Sequence, residues 1–488
     1  MTGRSFHLVA IFVFALLLAA LPAGAQTSGA PPSGASPAPP VPAPMAAQGD
    51  YSGSIPSKLE PGILQLSLQD AINRGLRQNL GLLLSGQDVR TARGQRWQEL
   101  SALLPNVTTS SYVDTSRVDL AEFGFSFNIP PSAGFSIPSV IGPFAYYDSR
   151  AYVTQSLLDL RALNNAHSAA QSVKSAQYSF KDARDLVILS VGYTYLQAIA
   201  DEARVETADA QVKTAQALYD QAADQVKAGT SPNIDALRAN VELKTRQQDL
   251  IQSKNNFAIE KLTLARVIGL APGQQFELTD KSPYQPFAGL TVEEALKRAY
   301  ANRSDYQAAL ADVRAADYAR KAAKDGYLPS ISFSADYGLA GTYSTLATNN
   351  VMDVRGTLTI PIFQGGKVHG DVLEADARLE QSRERLDNLR AQIDQDVRTA
   401  LLNIESAEEQ VEVARSNIDL ADETLAQSRD RFAAGVTDTV EVVQSEEAVA
   451  SAHESYISSL YNDNYAKISL ARAMGAGEQG VQEYLKGK

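Results

Sequence analysis

Two carboxylates, Asp235 and Glu441, hold equivalent positions just past two glycine-containing segments of the chain. They lie 206 residues apart, and each follows its glycine, Gly229 or Gly435, by six residues. If several copies of the chain surround one axis, these acids would form a ring, and carboxylate rings build cation-selective constrictions. Acids in the first turn of a helix are also stabilised by the helix dipole. Both interpretations of the pair stay open at this point.

The rest of the sequence contains no residue pattern that is typical of an enzyme active site. The four histidines, His7, His167, His369 and His453, are scattered, and no two of them have metal-ligand spacing. The chain has no cysteine, so the sequence offers no thiolate site and no disulfide. Neither a Ser/His/Asp arrangement nor a glycine-rich phosphate loop is present in the sequence. We therefore predict no enzyme, no cofactor and no metal.

The charge of the chain excludes one class of partner. Lys and Arg number 44 against 56 Asp and Glu, which gives a formal net charge of −12. Nucleic acid requires a basic surface to neutralise its phosphates. The sequence therefore predicts that nucleic acid is not a partner.

The N-terminal residues have the pattern of an export signal. Arg4 precedes an apolar run over residues 8–21, and Ala23-Gly24-Ala25 follows it. This is typical of a cleavable signal peptide, which we assign to residues 1–25. Residues 26–64 are rich in Pro, Ala and Ser, which predicts a linker that buries too little apolar surface to fold.

An internal duplication organises the rest of the chain. The segment at 262–269 matches the segment at 468–475, and this offset of 206 residues holds without gaps over the preceding helices. Residues 66–71 match residues 290–295 at an offset of 224, so the first half carries an insertion. We assign the insertion to a Pro- and Gly-rich loop at 128–144. A period this long indicates duplication of a half-molecule rather than a solenoid.

Alternating residues predict two β-hairpins, one in each half. Apolar Phe333 and Tyr337 alternate with polar Ser334 and Asp336, a period of two with one apolar face. The predicted strands are about 106–129, 145–158, 330–343 and 350–362. Long alternating strands with aromatic residues are typical of outer-membrane barrels, the smallest of which have about eight strands. Four strands cannot close alone, so a membrane location predicts an oligomer.

Long helical hairpins complete each half. Residues 162–228 contain no proline and a single glycine, which predicts one helix of roughly 100 Å. The predicted long helices are 162–228, 233–268, 367–434 and 439–474. Shorter helices are predicted from Leu68 to about Leu104, and their counterparts in the second half are predicted to end before Leu328-Pro329. The first repeat thus covers 65–270 and the second 290–476, with an inter-repeat segment at 271–289 and a tail at 477–488.

With these repeats, strands and helices, the chain resembles the TolC family of outer-membrane efflux factors. The resemblance rests on the Ile-Pro-Ile-Phe-Gln-Gly-Gly run at 360–366, on the two glycine turns, and on the Leu-Ala-Arg ends of both repeats. It implies a mainly α fold with a small β part, in which each half is a β-hairpin plus a long helical hairpin. It also implies a homotrimer, with a 12-stranded outer-membrane barrel continued by a periplasmic helical tunnel.

The resemblance further implies a function, partners and site residues. The chain would be the channel subunit of a tripartite efflux pump or type I secretion system, embedded in outer-membrane lipid. Its partners would be a periplasmic adaptor, or membrane fusion protein, and an inner-membrane pump or ATPase. The implied pore-constriction residues are Asp235, Glu441, Phe432 and Asp438. The implied tip-turn and adaptor-contact residues are Gly229, Thr230, Pro232, Gly435, Val436 and Thr437.

The sequence departs from the family pattern at three places. Thr437 replaces a basic residue and Gln444 replaces a second acid near the tip, while Ser156–Arg161 lacks the Pro and Gly-Gly of the other junction. The alternative hypothesis is a periplasmic coiled-coil adaptor or structural protein. That alternative predicts one helical hairpin flanked by a small β-domain, whereas the sequence contains two hairpins.

Overall fold

A computed structural model of the chain describes residues 51–125, 134, 137–280, 284–287, 289–342, 347–477 and 480. The predicted signal peptide, residues 26–50 of the predicted linker, residues 128–133, 135 and 136 of the predicted 128–144 loop, and most of the C-terminal tail lie outside the described residues. Among the described helices, none is long and apolar enough to cross a membrane.

The described elements occur twice in nearly the same order. The first half contains β1 (Leu64–Leu66), α1 (Leu68–Gln78), α2 (Leu80–Ser101), β2 (Asn106–Asp119), β3 (Val140–Leu158), α3 (Leu160–Lys227) and α4 (Asn233–Ile268). The second half contains β4 (Phe276–Leu278), α5 (Val292–Asn302), α6 (Ser304–Asp325), β5 (Ser330–Thr342), β6 (Ala347–Thr359), α7 (Lys367–Ala433) and α8 (Thr439–Ala473).

Two helices, α1 and α2, lie in the segment predicted to be helical over about 68–104, and the break between them recurs in the second half. Asn79 has an extended backbone and caps α2, because its side chain accepts a hydrogen bond from the Leu82 amide at 3.2 Å. Arg303 separates α5 from α6 with the same extended backbone, at φ −60° and ψ 120°. The two interruptions are 224 residues apart, the offset that relates the starts of the repeats.

Part of the predicted linker is ordered. The Ile55 amide donates to the Gln78 carbonyl at 2.8 Å, and the Ser57 amide donates to the Gly269 carbonyl at 2.8 Å. Just beyond, β1 pairs with β4 in parallel. The linker prediction is therefore wrong for 51–64, because these residues make backbone hydrogen bonds that their own composition does not reveal.

The two hairpins form one antiparallel sheet in the order β2-β3-β5-β6. β2 ends at Asp119, so the strand prediction is wrong for 120–125, and its last part, 126–129, lies outside the described residues. The Asp119 side chain caps a short 3₁₀ helix at Leu120–Phe123 by accepting from the Ala121 amide, and Gly124 follows in the left-handed region. Strand pairing therefore stops at this turn, although apolar residues continue to alternate in the sequence beyond it.

The sheet has two chemically distinct faces. Arg150 contacts Asp148 and Asp336, so these three side chains share one polar face. The opposite face carries large apolar side chains that are exposed in the chain, and these are Val107, Val113, Tyr337, Leu339, Met352, Val354 and Leu358. Both outer strands, β2 and β6, have one unpaired edge within the described chain.

Long helices pack in antiparallel pairs, α3 with α4 and α7 with α8, and α3 also packs against α8. The largest apolar cluster surrounds Tyr195 near the middle of α3, where Leu66, Ile188, Leu264 and Ile468 are each at most 2% exposed. The Tyr195 hydroxyl donates to the Leu66 carbonyl at 2.9 Å. This cluster joins α3, the C-terminal end of each repeat and the β1–β4 pair.

Candidate functional site

Two turns link the long helices, one between α3 and α4 and one between α7 and α8. Gly229 and Gly435 have φ values of +72° and +69°, which an L side chain adopts at a cost. The Thr230 amide donates to the Gln225 carbonyl at 3.0 Å, and the Val436 amide donates to the Arg431 carbonyl at 2.9 Å. This is the glycine-dependent helix end that the sequence predicts at both places.

The returning helices begin differently in the two halves. Pro232 precedes α4 with φ −69° and ψ 150°, an extended backbone. Asp438 caps α8, because its side chain accepts from the Val440 amide at 3.1 Å. The first half therefore starts its helix without a side-chain cap, and the second half starts with an acidic one.

The first acid of the predicted pair is buried and shares an arginine with the other turn. Asp235 is 5% exposed. Arg238 Nη1 lies 3.8 Å from Asp235 Oδ1 and 3.8 Å from Asp438 Oδ2. Arg238 therefore lies between an acid of the first turn and an acid of the second, and partly neutralises both.

The second acid is more accessible and is paired locally. Glu441 accepts a hydrogen bond from the Thr437 hydroxyl, and its Oε1 lies 3.3 Å from Arg431 Nε. Its side chain is 38% exposed, against 7% for Asp235. The two equivalent acids thus differ in environment within one chain.

An aromatic side chain closes the space between the hairpins near the turns. Phe432 is 3% exposed and belongs to a cluster with Leu218, Ala222, Ala239, Leu425 and Val442. The cluster draws on both long helical hairpins. Phe432 is therefore a packing residue that joins them, at the depth where Asp235 is buried.

A polar layer that sequence reasoning missed lies next to this cluster. Arg429 contacts Glu446 at 3.1 Å, and Arg246 contacts Glu242 at 2.6 Å. Burial raises the pKa of Glu446, and the Arg429 guanidinium opposes that rise. The spacing of four residues between Glu242 and Arg246 is the one signal in the sequence that points to this layer.

Comparison with known proteins decides the family. The profile of the family described as "Outer membrane efflux protein" matches residues 71–270 and 295–476, which is most of the chain. The chain belongs to this family. The match covers both repeats, so it includes both turns and both of the acids discussed above.

Characterised relatives of this outer membrane efflux protein are similar at low identity. Outer membrane protein TolC of Escherichia coli strain K12 is 23% identical over 345 residues, which cover 66% of this chain and 68% of TolC. The pyoverdine export outer membrane protein OpmQ of Pseudomonas putida is 21% identical over 314 residues, covering 64% of this chain and 66% of OpmQ. The chain thus spans about two thirds of the length of these relatives.

Solved structures show the same fold. VceC of Vibrio cholerae superposes with a TM-score of 0.70 at 16% identity, covering 84% of this chain and 96% of VceC. CusC superposes with a TM-score of 0.71 at 19% identity, covering 91% of this chain and 99% of CusC. The predicted mainly helical fold with a smaller β part is therefore confirmed.

The family membership settles three further predictions. The predicted resemblance to TolC-like efflux factors is confirmed. The family consists of outer-membrane channel proteins, which are not enzymes, so the non-enzyme prediction is also confirmed. The predicted location in the outer membrane, with helices extending into the periplasm, agrees with these relatives and neighbours. The adaptor alternative is left without support.

Proposed function

We propose that this chain is the outer-membrane channel subunit of a tripartite efflux pump or a type I secretion system. The observation that carries the proposal is a four-stranded sheet with one apolar, exposed face and two open edges, continuous with helices of 68 and 67 residues. Such a sheet exposes unpaired backbone groups that lipid cannot satisfy. A closed assembly of several chains would satisfy them.

Three copies would give a barrel of twelve strands, within the size range of outer-membrane barrels. The free edge of β6 in one copy would pair with the free edge of β2 in the next. The apolar face, with Met352 and Val354 at 72% and 62% exposed, would then meet lipid. The polar face with Arg150 would line the lumen.

The two turns would form the periplasmic entrance and the contact surface for an adaptor. Val436 is 70% exposed at the second turn, beside Gly435 and Thr437. Gly229, Thr230 and Pro232 form the corresponding surface at the first turn. The exposed side chain of Val436 would contact a helix of the adaptor. The energy source would be an inner-membrane pump or ATPase.

The entrance constriction would be built from Asp235, Glu441, Asp438 and Phe432. Arg238 would hold the two turns of one chain together through Asp235 and Asp438, and the Phe432 cluster would seal the hairpins. Opening would require the turns to separate, which would break the two 3.8 Å contacts of Arg238. Glu441, the more exposed acid, would supply the fixed charge that passing ions meet.

Planar-bilayer recording of the purified protein tests the channel. We expect discrete conductance steps from an oligomer that migrates above the monomer on a gel and dissociates on heating. A preparation that stays monomeric and does not conduct would overturn the proposal. Absence of conductance from an intact oligomer would contradict the channel but leave the oligomer standing.

The entrance acids are tested in the same assay. Glu441→Gln should lower cation selectivity, because it removes the accessible carboxylate. Asp235→Asn should raise the open probability, because it weakens the Arg238 bridge between the turns. Glu447→Gln, an exposed acid on α8 two turns further from the tip, is the control. Wild-type selectivity and gating in the Asp235→Asn/Glu441→Gln double variant would remove both acids from the mechanism.

A further inference from the structure

One arginine on the polar face of the sheet is held flat against the strands. Arg150 on β3 donates from Nε to both oxygens of Asp148 at 2.9 Å and from Nη2 to Asp148 Oδ2 at 2.5 Å. Its Nη1 donates to Asp336 Oδ1 on β5 at 3.1 Å. The guanidinium is therefore anchored at both ends, along its own strand and across to the next strand.

The residue opposite Arg150 has no side chain. Gly338 is the register partner of Arg150 on β5. A Cβ atom at Gly338 would lie 2.1 Å from the Ser149 carbonyl oxygen and 2.8 Å from Arg150 Cγ. Any other residue there would therefore displace the strand or the arginine, so the glycine lets Arg150 lie across β5 towards Asp336.

The anchoring also hides the acids. The side chain of Asp148 is 5% exposed and that of Asp336 is 15% exposed, while Arg150 is 27% exposed. A second pair on the same face behaves differently. Arg355 and Asp353 on the edge strand β6 lie 3.4 Å apart and are 67% and 48% exposed, so this pair is far more accessible than the Arg150 pairs.

We propose that the Asp148–Arg150–Asp336 clamp over Gly338 keeps the lumen of the outer-membrane channel open and sets its charge. This inference rests on the proposed function, in which the polar face lines the lumen. While both aspartates hold it against the sheet, the Arg150 side chain occupies little of the lumen, and its charge is neutralised by two carboxylates. Released, one guanidinium per chain would extend into the lumen, where it would obstruct the path and repel cations.

The fixed charge of this band follows from the same residues. Asp114, Asp148, Asp336 and Asp353 lie on the same face of the sheet as Arg150 and Arg355. Four carboxylates against two guanidinium groups leave two net negative charges per chain. Carboxylate rings favour cations in a narrow lumen. With the clamp in place, the lumen therefore passes cationic solutes more readily than anionic ones.

Two charge-matched double variants separate the clamp from the charge. Asp148→Asn/Asp336→Asn removes two carboxylates and frees Arg150. Asp114→Asn/Asp353→Asn removes two carboxylates from the same face but leaves the clamp intact. We expect both to lose cation preference, measured as the shift in reversal potential in a KCl gradient. Only the first should lose single-channel conductance.

Replacing the freed arginine should restore the conductance that the Asp148→Asn/Asp336→Asn variant loses. Asp148→Asn/Asp336→Asn/Arg150→Gln should regain the wild-type conductance, because no guanidinium is left to obstruct the lumen. Equal conductance in the two doubles, or no recovery in the triple variant, would overturn the clamp. Each variant must keep the heat-dissociable oligomer on gels. If wild-type protein does not conduct, the proposed function fails instead.

Discussion

A single glutamate on α4 gives the helical region a predictable pH dependence. Burial and, to a lesser extent, the nearby Asp201 carboxylate raise the pKa of Glu260 to about 7. An unfolded glutamate has a pKa of about 4.3. The folded chain therefore binds this proton more tightly than the unfolded chain. Glu260 favours folding at low pH, and its contribution is lost as the pH rises from about 4.3 through about 7.

Replacing Glu260 by Gln should remove this dependence. We expect Glu260→Gln to be more thermostable than the wild type at pH 8 and to differ less at pH 5, because the partly buried group no longer ionises. Thermal unfolding of the purified oligomer across this range measures the difference. Glu447→Gln, at an exposed position, is the control. A variant profile parallel to that of the wild type would contradict the assignment.

At the scale of elements, two equivalent lysines hold the inter-repeat segment. Lys261 on α4 donates to the Phe276 carbonyl at 2.6 Å, and Lys467 on α8 donates to the Gln285 carbonyl. The lysines are 206 residues apart, so the duplication supplies one anchor on each side. Only Lys467 has an acidic neighbour one turn away, Asp463 at 2.6 Å, and both are at most 1% exposed.

This difference predicts unequal effects of the same substitution. Lys467→Met should destabilise the chain by about 3–5 kcal/mol, because it leaves the buried Asp463 carboxylate without its partner. Lys261→Met removes a hydrogen bond to a carbonyl and should cost about 1.5–3 kcal/mol. Urea unfolding of both variants measures the two values.

A compensating variant checks the cause. Lys467→Met/Asp463→Leu should recover most of the loss, because no buried charge is left unpaired. A double variant as unstable as Lys467→Met would show that packing, rather than the unpaired carboxylate, sets the cost.

At the scale of the whole molecule, the open edges of β2 and β6 predict a ring of fixed size. Ser110 on β2 and Val351 on β6 lie in one row of the sheet, through Arg150 and Gly338. The chain has no native cysteine, so introduced cysteines are the only thiols. A chain with cysteine at both edges can be linked to its neighbours on either side.

Treating Ser110→Cys/Val351→Cys with a flexible bismaleimide in outer membranes should give covalent dimers and trimers and nothing larger. A closed ring of three has no further free edge, which is why the ladder should end there. Ser110→Cys alone is the control and should give no ladder. Bands beyond the trimer would contradict the threefold ring.

Local sequence determined much of this protein. The positive-φ glycines at 229 and 435, the proline-free stretches and the repeat offset predict the ends of the long helices within a few residues. Alternation predicts the four strands, apart from the end of β2 and the start of β3, which begins at Val140, inside the predicted 128–144 loop. These features depend on neighbouring residues, which is why one sequence suffices to reveal them. The repeat offset also pairs Asp235 with Glu441, whose role in a constriction stays a prediction.

Only the tertiary structure decided which distant groups meet. The sequence contains no sign that Arg238 would lie between Asp235 and Asp438, or that Arg150 would cross Gly338 to reach Asp336. The pairing of β1 with β4 was equally hidden. In each case the partners lie far apart along the chain, and their contact depends on how two separately formed hairpins pack. Periodicity and turn chemistry carry no information about that packing, whereas burial and distance do.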